Sequence, residues 1–251
     1  MKNFKITIEY DGTHFKGWQV QGQNTRTVQG EIERALETIT QKRVRVFGSG
    51  RTDSGVHAKG QVAHFKSQTK MGLQEFLCAL NGNLPDDVRI TKIEEASPKF
   101  HAQFHVKTKT YRYTILNRVV SPVLERNFCL HVPYKLNIAK MREAASLLKG
   151  RHDFRSFMAG DPGQRKTPPE KDTVRNLFSL KITKRGDFIF IDATSNGFLY
   201  KMVRSIIGTL LFVGSGKIAP SEVALILKSK DRTMAGDTAP AHGLCLMEVI
   251  Y

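Results

Sequence analysis

The sequence predicts an α+β fold of two similar halves, each a sheet with helices on one face. Three observations lead there. Segments that alternate with period two interleave with segments of helical period. Hairpin-like strand pairs stand between them. The second half repeats the order of the first, with additions.

Each element follows from its own pattern. Phe4, Ile6, Ile8 and Tyr10 alternate with Lys5, Thr7 and Glu9 in a half-buried strand, which Asp11-Gly12 ends with turn chemistry. Val28, Ile32, Ala35, Leu36 and Ile39 recur at helical spacing, predicting a helix from about Thr27 to Thr40. Val44 to Phe47 reads as a short strand before the Gly-rich stretch GSGRTDSG, and Gln61 to Phe65 as another. Leu73, Phe76, Leu77 and Leu80 predict a second helix, and Val88 to Glu95 a strand that closes the first half.

In the second half Tyr111, Tyr113 and Ile115 alternate with Arg112 and Thr114. Asn137 is a fitting N-cap for a helix carrying Ile138, Met141, Ala145 and Leu148, and Gly150 fits its end. Thr173–Thr183 and Phe188–Ser195 read as a hairpin around Arg185-Gly186-Asp187. Phe198 to Val213 reads as a strongly apolar helix, Ser221 to Lys228 as a shorter one, and Leu244 to Ile250 as a last strand. The boundary between halves falls near residues 100–108, giving 1–104 with a loop at 48–60 and 105–251 with the YRY strand and the MVR helix. No linker composition marks it, so the halves are expected to share one sheet. Residues 151–172 are irregular, basic and Pro-rich, and a loop that long in a compact domain is functional or disordered.

Composition narrows the function. The chain carries 39 Lys and Arg against 23 Asp and Glu, a formal charge of +16. Such a chain is drawn to polyanions, nucleic acid first and an anionic membrane surface second. The basic residues are spread along the whole chain, which points to a folded positive face rather than a charged arm. No apolar run reaches the length of a membrane span, and the N-terminal segment lacks the apolar core of a secretory signal, so a cytoplasmic protein is expected. Cys78, Cys129 and Cys245 form no CxxC pair, so neither a disulfide framework nor a zinc knuckle is indicated.

The segment GSGRTDSGVHAKGQVAHF, residues 48–65, is the most informative. Gly48, Gly50 and Gly55 surround Arg51, Thr52 and Asp53. Glycines permit a tight path and close approach to a ligand, so the loop can push an arginine and a carboxylate into a cleft together. Arginine can pair with a phosphate or fill the space left by a displaced base, and a carboxylate can act as nucleophile or base. The same residues fit an ordinary turn, with Asp53 accepting backbone N–H groups and Arg51 in solvent. No GK[ST] ending follows, so this is not a nucleotide-binding P-loop. Asp53, His57 and His64 are a weaker candidate set for a metal-dependent nuclease, since no further ligand lies at a known spacing. A non-catalytic RNA-binding module is the other alternative. In the helix expected from Phe198, Arg204 shares a face with Gly197, Lys201 and Gly208, and Gly208 leaves room for backbone or RNA to approach it. Phe154 and Phe157 could stack on bases, with core packing the better reading.

The motif GSGRTDSGVHAKGQVAHF resembles that of the tRNA pseudouridine synthase A family, roughly G-x-G-R-T-D-x-G-V-H-A-x-G-Q-V. IEYDGTHFKGWQVQ, NLPDDV, FHAQF, KTYRY, HDFRSF, FLYKMVRSIIGTLL and TAPAHGL are similar to family segments in the same order, so the resemblance covers nearly the whole chain. It implies the pseudouridine synthase fold, a mixed, mainly antiparallel sheet with helices in two similar halves around a basic cleft. It implies isomerisation of uridine to pseudouridine at positions 38–40 of the tRNA anticodon arm, by homodimers, with no metal or other cofactor. Residue by residue, Asp53 matches the catalytic aspartate and Arg51 the arginine that enters the space vacated by the target nucleotide. Tyr111 matches the tyrosine that stacks on the target base, and Arg204 the basic partner of the aspartate. Substrate contact is implied for Arg51, Thr52 and Tyr111. Ser54 stands where the family has Ala, a conservative change, and the stretch around Pro168-Pro169 lies in a variable region.

Overall fold

The computed structural model describes residues 1–22, 25–160 and 172–251. They form two compact units, Met1–Lys107 with Cys245–Tyr251, and Thr108–Leu244.

In the first unit, strands β1 (Lys2–Tyr10), β3 (His57–Ser67), β4 (Val88–Ala96) and β10 (Leu244–Ile250) lie in the order β4-β1-β3-β10, with the short β2 (Phe47–Gly48) on β3. All pairings are antiparallel except β3 with β10, where Cys245 faces His57. Helices α1 (Val28–Thr40) and α2 (Leu73–Gly82) complete the unit. Alternation on β1 buries Phe4, Ile6, Ile8 and Tyr10. Phe4 stacks on Phe65 of β3 and meets Phe76 of α2 edge-on, a geometry that aromatic rings prefer. Thr27 caps α1 by accepting from Gly30 N–H.

In the second unit, β5 (Thr108–Leu116), β7 (Gly150–Asp153), β8 (Val174–Arg185) and β9 (Phe188–Ser195) run antiparallel in the order β5-β9-β8-β7, with β6 (Leu130–His131) parallel on β5. Three helices accompany them, α3 (Ile138–Leu147), α4 (Met202–Ser215) and α5 (Glu222–Ser229). The Asn137 side chain caps α3 through Lys140 N–H. Gly186, at φ +56°, makes the tight turn between β8 and β9. The helix α4 buries ten of its fourteen residues.

The α+β class and the mainly antiparallel pairing hold in each unit, with differences at element ends. The strand expected at Val44–Phe47 is only Phe47–Gly48, because pairing with β3 begins at Phe47. The strand expected at Gln61–Phe65 runs from His57 to Ser67, so the second half of the Gly-rich motif is sheet. The helix expected from Phe198 starts at Met202, because Lys201 adopts a left-handed conformation at φ +57°. Gly150, at φ +107°, opens β7 rather than closing α3. In the segment read as irregular, β7 and a 3-10 turn at Arg155–Phe157 form, with Phe154 and Phe157 fully buried. The stretch around Pro168-Pro169 lies outside the described residues.

Candidate active site

Asp53 lies on the loop between β2 and β3, and that loop is fastened from several sides within the first unit. Trp18 N–H donates to Thr52 C=O at 3.1 Å, and Gly55 N–H and the Ser54 hydroxyl donate to Phe15 C=O. Gly17, at φ +91°, lies so close that a side chain there would meet Thr52 C=O at 2.6 Å. Beneath the loop, fully buried Gln61 of β3 accepts from the Ser49 hydroxyl at 2.7 Å and donates to Gly50 C=O at 3.1 Å. The Thr52 and Tyr10 hydroxyls lie 2.8 Å apart, also buried. Burial pushes the Tyr10 phenol well above its ordinary range, so it stays a neutral hydrogen-bonding group.

These bonds hold the backbone on both sides of Asp53. The carboxylate is half-buried, Arg51 is exposed and Thr52 is buried. Of the three motif glycines only Gly55, at φ +78°, occupies left-handed backbone. Gly48 is needed for close approach, since a side chain there would meet the Trp18 indole at 2.5 Å. Tyr10, Gly17, Trp18 and Gln61 are supports that sequence reasoning did not single out. The signal for them was their place inside the motif and the opening segment, without any hint of which partner each would meet.

His57, at the start of β3, is buried, with Nδ1 3.0 Å from Gly12 N and 3.1 Å from Asp11 Oδ1. Partial burial pushes the Asp11 carboxyl up, but bonds from Thr13 and the nearby His57 and His14 outweigh it and hold the group below its ordinary range. His64 accepts from Ala102 N–H at 3.1 Å. Asp53, His57 and His64 are therefore not brought together as ligands, and no group of three or more potential ligands is gathered among the described residues.

Tyr111 and Arg204 belong to the second unit. Tyr111, on β5, is 8% exposed and meets Phe198 edge-on with centroids 5.3 Å apart. Lys109, two residues earlier and on the same side of the strand, is half-buried, and desolvation pulls its ammonium down to about 8. Arg204 sits in the first turn of α4, where its Nε donates to Ala239 C=O at 2.7 Å. Gly197 and Lys201 precede the helix and do not share its face. Gly208 does admit a backbone, that of Asp237, whose carbonyl occupies the space a side chain would need. Gly236 N–H donates to Thr209 Oγ1 and Ala239 N–H to Arg204 C=O, so residues 236–239 are bound along α4.

Comparison with known proteins bears on the whole chain. A family model described as tRNA pseudouridine synthase matches residues 6–105 and 144–251. A protein named tRNA pseudouridine synthase A from Thermoanaerobacter sp. (strain X514) is 48% identical over 251 residues, covering 100% of both chains. Proteins of the same name from Brevibacillus brevis and Bacillus pumilus are 46% and 48% identical, covering 100% and 98% of each chain. A chain in the crystal structure of a Cbf5-Nop10-Gar1 complex gives a TM-score of only 0.34 at 8% identity over 96% of this chain and 57% of that one. From the family match and these full-length relatives, the chain belongs to the tRNA pseudouridine synthase family.

Proposed function

We propose that Asp53 is the catalytic carboxylate of this tRNA pseudouridine synthase and that its target uridines lie at positions 38–40 of the anticodon arm. The family's reaction, isomerisation of uridine to pseudouridine in tRNA, sets what the residues must accomplish. The target nucleotide leaves the base stack, at a cost of a few kcal/mol. The carboxylate attacks the nucleoside or assists its opening, and the glycosidic bond breaks. The uracil turns and rejoins the sugar through C5, and the C5 proton leaves to a base. Product and substrate are isomers, so the balance calls for no co-substrate.

The single observation that carries this reading is the fastening of the Asp53 loop. A carboxylate that reacts must be held in place by groups that are themselves held, and Gln61, Tyr10, Trp18 and Phe15 do this. Thr52 enters the reading as a positioning residue, its buried hydroxyl working through Tyr10. Arg51, exposed beside Asp53, is assigned to the space vacated by the target nucleotide. Tyr111 is assigned to the target base. Stacking recovers roughly 1–3 kcal/mol per base, and contact with Phe198 limits the ring's freedom before RNA arrives. Arg204 is assigned as the basic partner of the carboxylate, its Nε anchored on Ala239.

Pseudouridine mapping in tRNA incubated with pure protein tests the assignment. Asp53→Asn keeps the volume and removes the charge, so conversion falls below detection while tRNA binding survives on phosphate contacts. Near-normal turnover would remove Asp53 from the chemistry, and conversion confined to other positions would remove the assignment to 38–40.

The reading includes a homodimer working in the cytoplasm. In the second unit Val119, Val120, Val123 and Leu124 are all more than two-thirds exposed, with Phe128 and Tyr134 about half exposed. Apolar side chains gathered on a surface in this way are a protein–protein signature, and a second copy is the occupant we assign. Val123→Glu with Leu124→Glu shifts the sedimentation of the protein to that of a monomer. Sedimentation of the wild-type protein as a monomer would end the assignment.

A further inference from the structure

A second surface of the first unit has the make-up of an RNA contact and lies outside the residues assigned to chemistry. Four rings form a ladder on β2, β3 and the segment 100–105. Phe104 stacks on His101 with centroids 4.2 Å apart, His101 lies 4.6 Å from His64, and His64 stacks on Phe47 at 5.2 Å. Arg45 places its guanidinium 5.3 Å from the Phe47 centroid. Phe47, His64 and His101 line a hollow of about 400 Å³ rimmed by Arg43, Arg45 and Lys66.

The ladder is fixed before any ligand arrives. Ala102 N–H donates to His64 Nδ1 at 3.1 Å, and the Tyr251 hydroxyl donates to Ala102 C=O at 2.7 Å. Asn3 donates to Ser97 C=O and Phe100 C=O. Burial, then the neighbouring His101, pulls the His64 imidazole down to about 4. Burial and His105 lower His101 as well. The rings therefore stay uncharged at neutral pH and the positive charge stays on the rim. Two acidic groups lie nearby: Glu37, 3.5 Å from Arg43 with both side chains exposed, and Glu33, which accepts from Val46 N–H at 2.9 Å. Yet Phe47 and Phe104 are 39% and 74% exposed, more than packing alone requires.

We propose that this hollow is an accessory RNA site, in which an unpaired nucleotide of the substrate stacks against Phe47 and His101 while Arg43, Arg45 and Lys66 neutralise its flanking phosphates. Unpaired bases are recognised by stacking on aromatic and guanidinium planes beside a basic groove, and a hollow of this volume is within the range of small-ligand sites. The six residues from Phe47 to Asp53 span at most about 22 Å, so the hollow lies within the reach of a tRNA whose target nucleotide is at Asp53. This rests on the reading of the chain as a tRNA enzyme and extends it to how the substrate is held.

Binding is measured in the Asp53→Asn background, so that affinity is read without conversion. The probes are unmodified tRNA and a fully paired RNA duplex of equal length. Phe47→Leu removes the ring and keeps an apolar side chain. It is expected to weaken tRNA binding roughly 5- to 150-fold, the range of one base–aromatic stack, and to leave duplex binding within about twofold. Arg45→Gln, exposed and away from the core, serves if Phe47→Leu fails to fold. It is expected to weaken tRNA binding and lower the slope of log affinity against log salt by about one. Unchanged tRNA affinity in the folded variants overturns the proposal, as does equal loss for tRNA and duplex in Phe47→Leu. A wild-type chain that makes no pseudouridine in tRNA would instead sink the functional reading, a separate result from the binding comparison.

Discussion

At the residue scale, Tyr111 can be divided into two roles by substitution. Stacking needs only the ring, whereas removal of the C5 proton needs the hydroxyl, and general acid–base assistance contributes about 10²–10⁴-fold in rate. Tyr111→Phe is expected to bind tRNA and lose most of its single-turnover rate, and Tyr111→Leu to lose both. A wild-type rate in Tyr111→Phe would leave the residue as a platform only. Arg204→Ala is expected to abolish conversion, with Arg204→Lys restoring part of it, because an ammonium cannot reproduce the guanidinium fork. His64 gives a test by pH. Its folded pKa, about 4, lies below the ordinary value of 6.5, so protonation favours the unfolded chain. Its contribution to stability is complete above about pH 6.5 and fades as pH falls towards 4. Thermal melts should drop more steeply across that window in the wild-type protein than in His64→Gln, and parallel curves would show that His64 is not the group responsible.

At the element scale, the loop carrying Asp53 is no stronger than its supports. Gln61→Leu keeps most of the volume but removes the bonds from Gln61 to the Ser49 hydroxyl and to Gly50 C=O. The loss of a hydrogen-bond partner by a buried polar group costs about 1–3 kcal/mol. We expect a lower melting temperature and a fall in kcat larger than any change in tRNA affinity. Equal kcat would mean that the loop holds its place without Gln61. In α4, Gly208→Ala sets a methyl group against the Asp237 backbone, which has no room to accept it. Overpacking of this kind costs about 1–3 kcal/mol or more, so the variant is expected to melt several degrees lower. An unchanged melt would show that residues 236–239 can lift away from the helix. The start of α4 departs from the apolar pattern of the sequence. Apolar residues continue back to Phe198 and Leu199, and periodicity cannot register that Lys201 turns into left-handed backbone before the helix begins.

At the scale of the whole molecule, a net charge of +16 should govern affinity for tRNA. Binding is expected to weaken steeply and log-linearly with salt, with a slope set by the phosphates neutralised. A flat dependence would mean that the excess charge is not the binding surface.

The sequence alone determined what depends on neighbours along the chain. Alternation and helical spacing marked β1, α1, α2, α3, the β8–β9 hairpin and β10, because the sides of a strand or helix are set by residue spacing. The motif around Asp53, with its resemblance along nearly the full chain, marked the family. Only the tertiary structure decided what touches what across long stretches of sequence. It set Trp18 and Gly17 against Thr52, Gln61 beneath Ser49 and Gly50, Asp237 against Gly208, and the Phe104–His101–His64–Phe47 ladder across some sixty residues of chain. The physical reason is that hydrogen bonds and ring contacts depend on distance in space. A pattern read along the chain shows which side of an element is apolar, but not which distant residue will meet it.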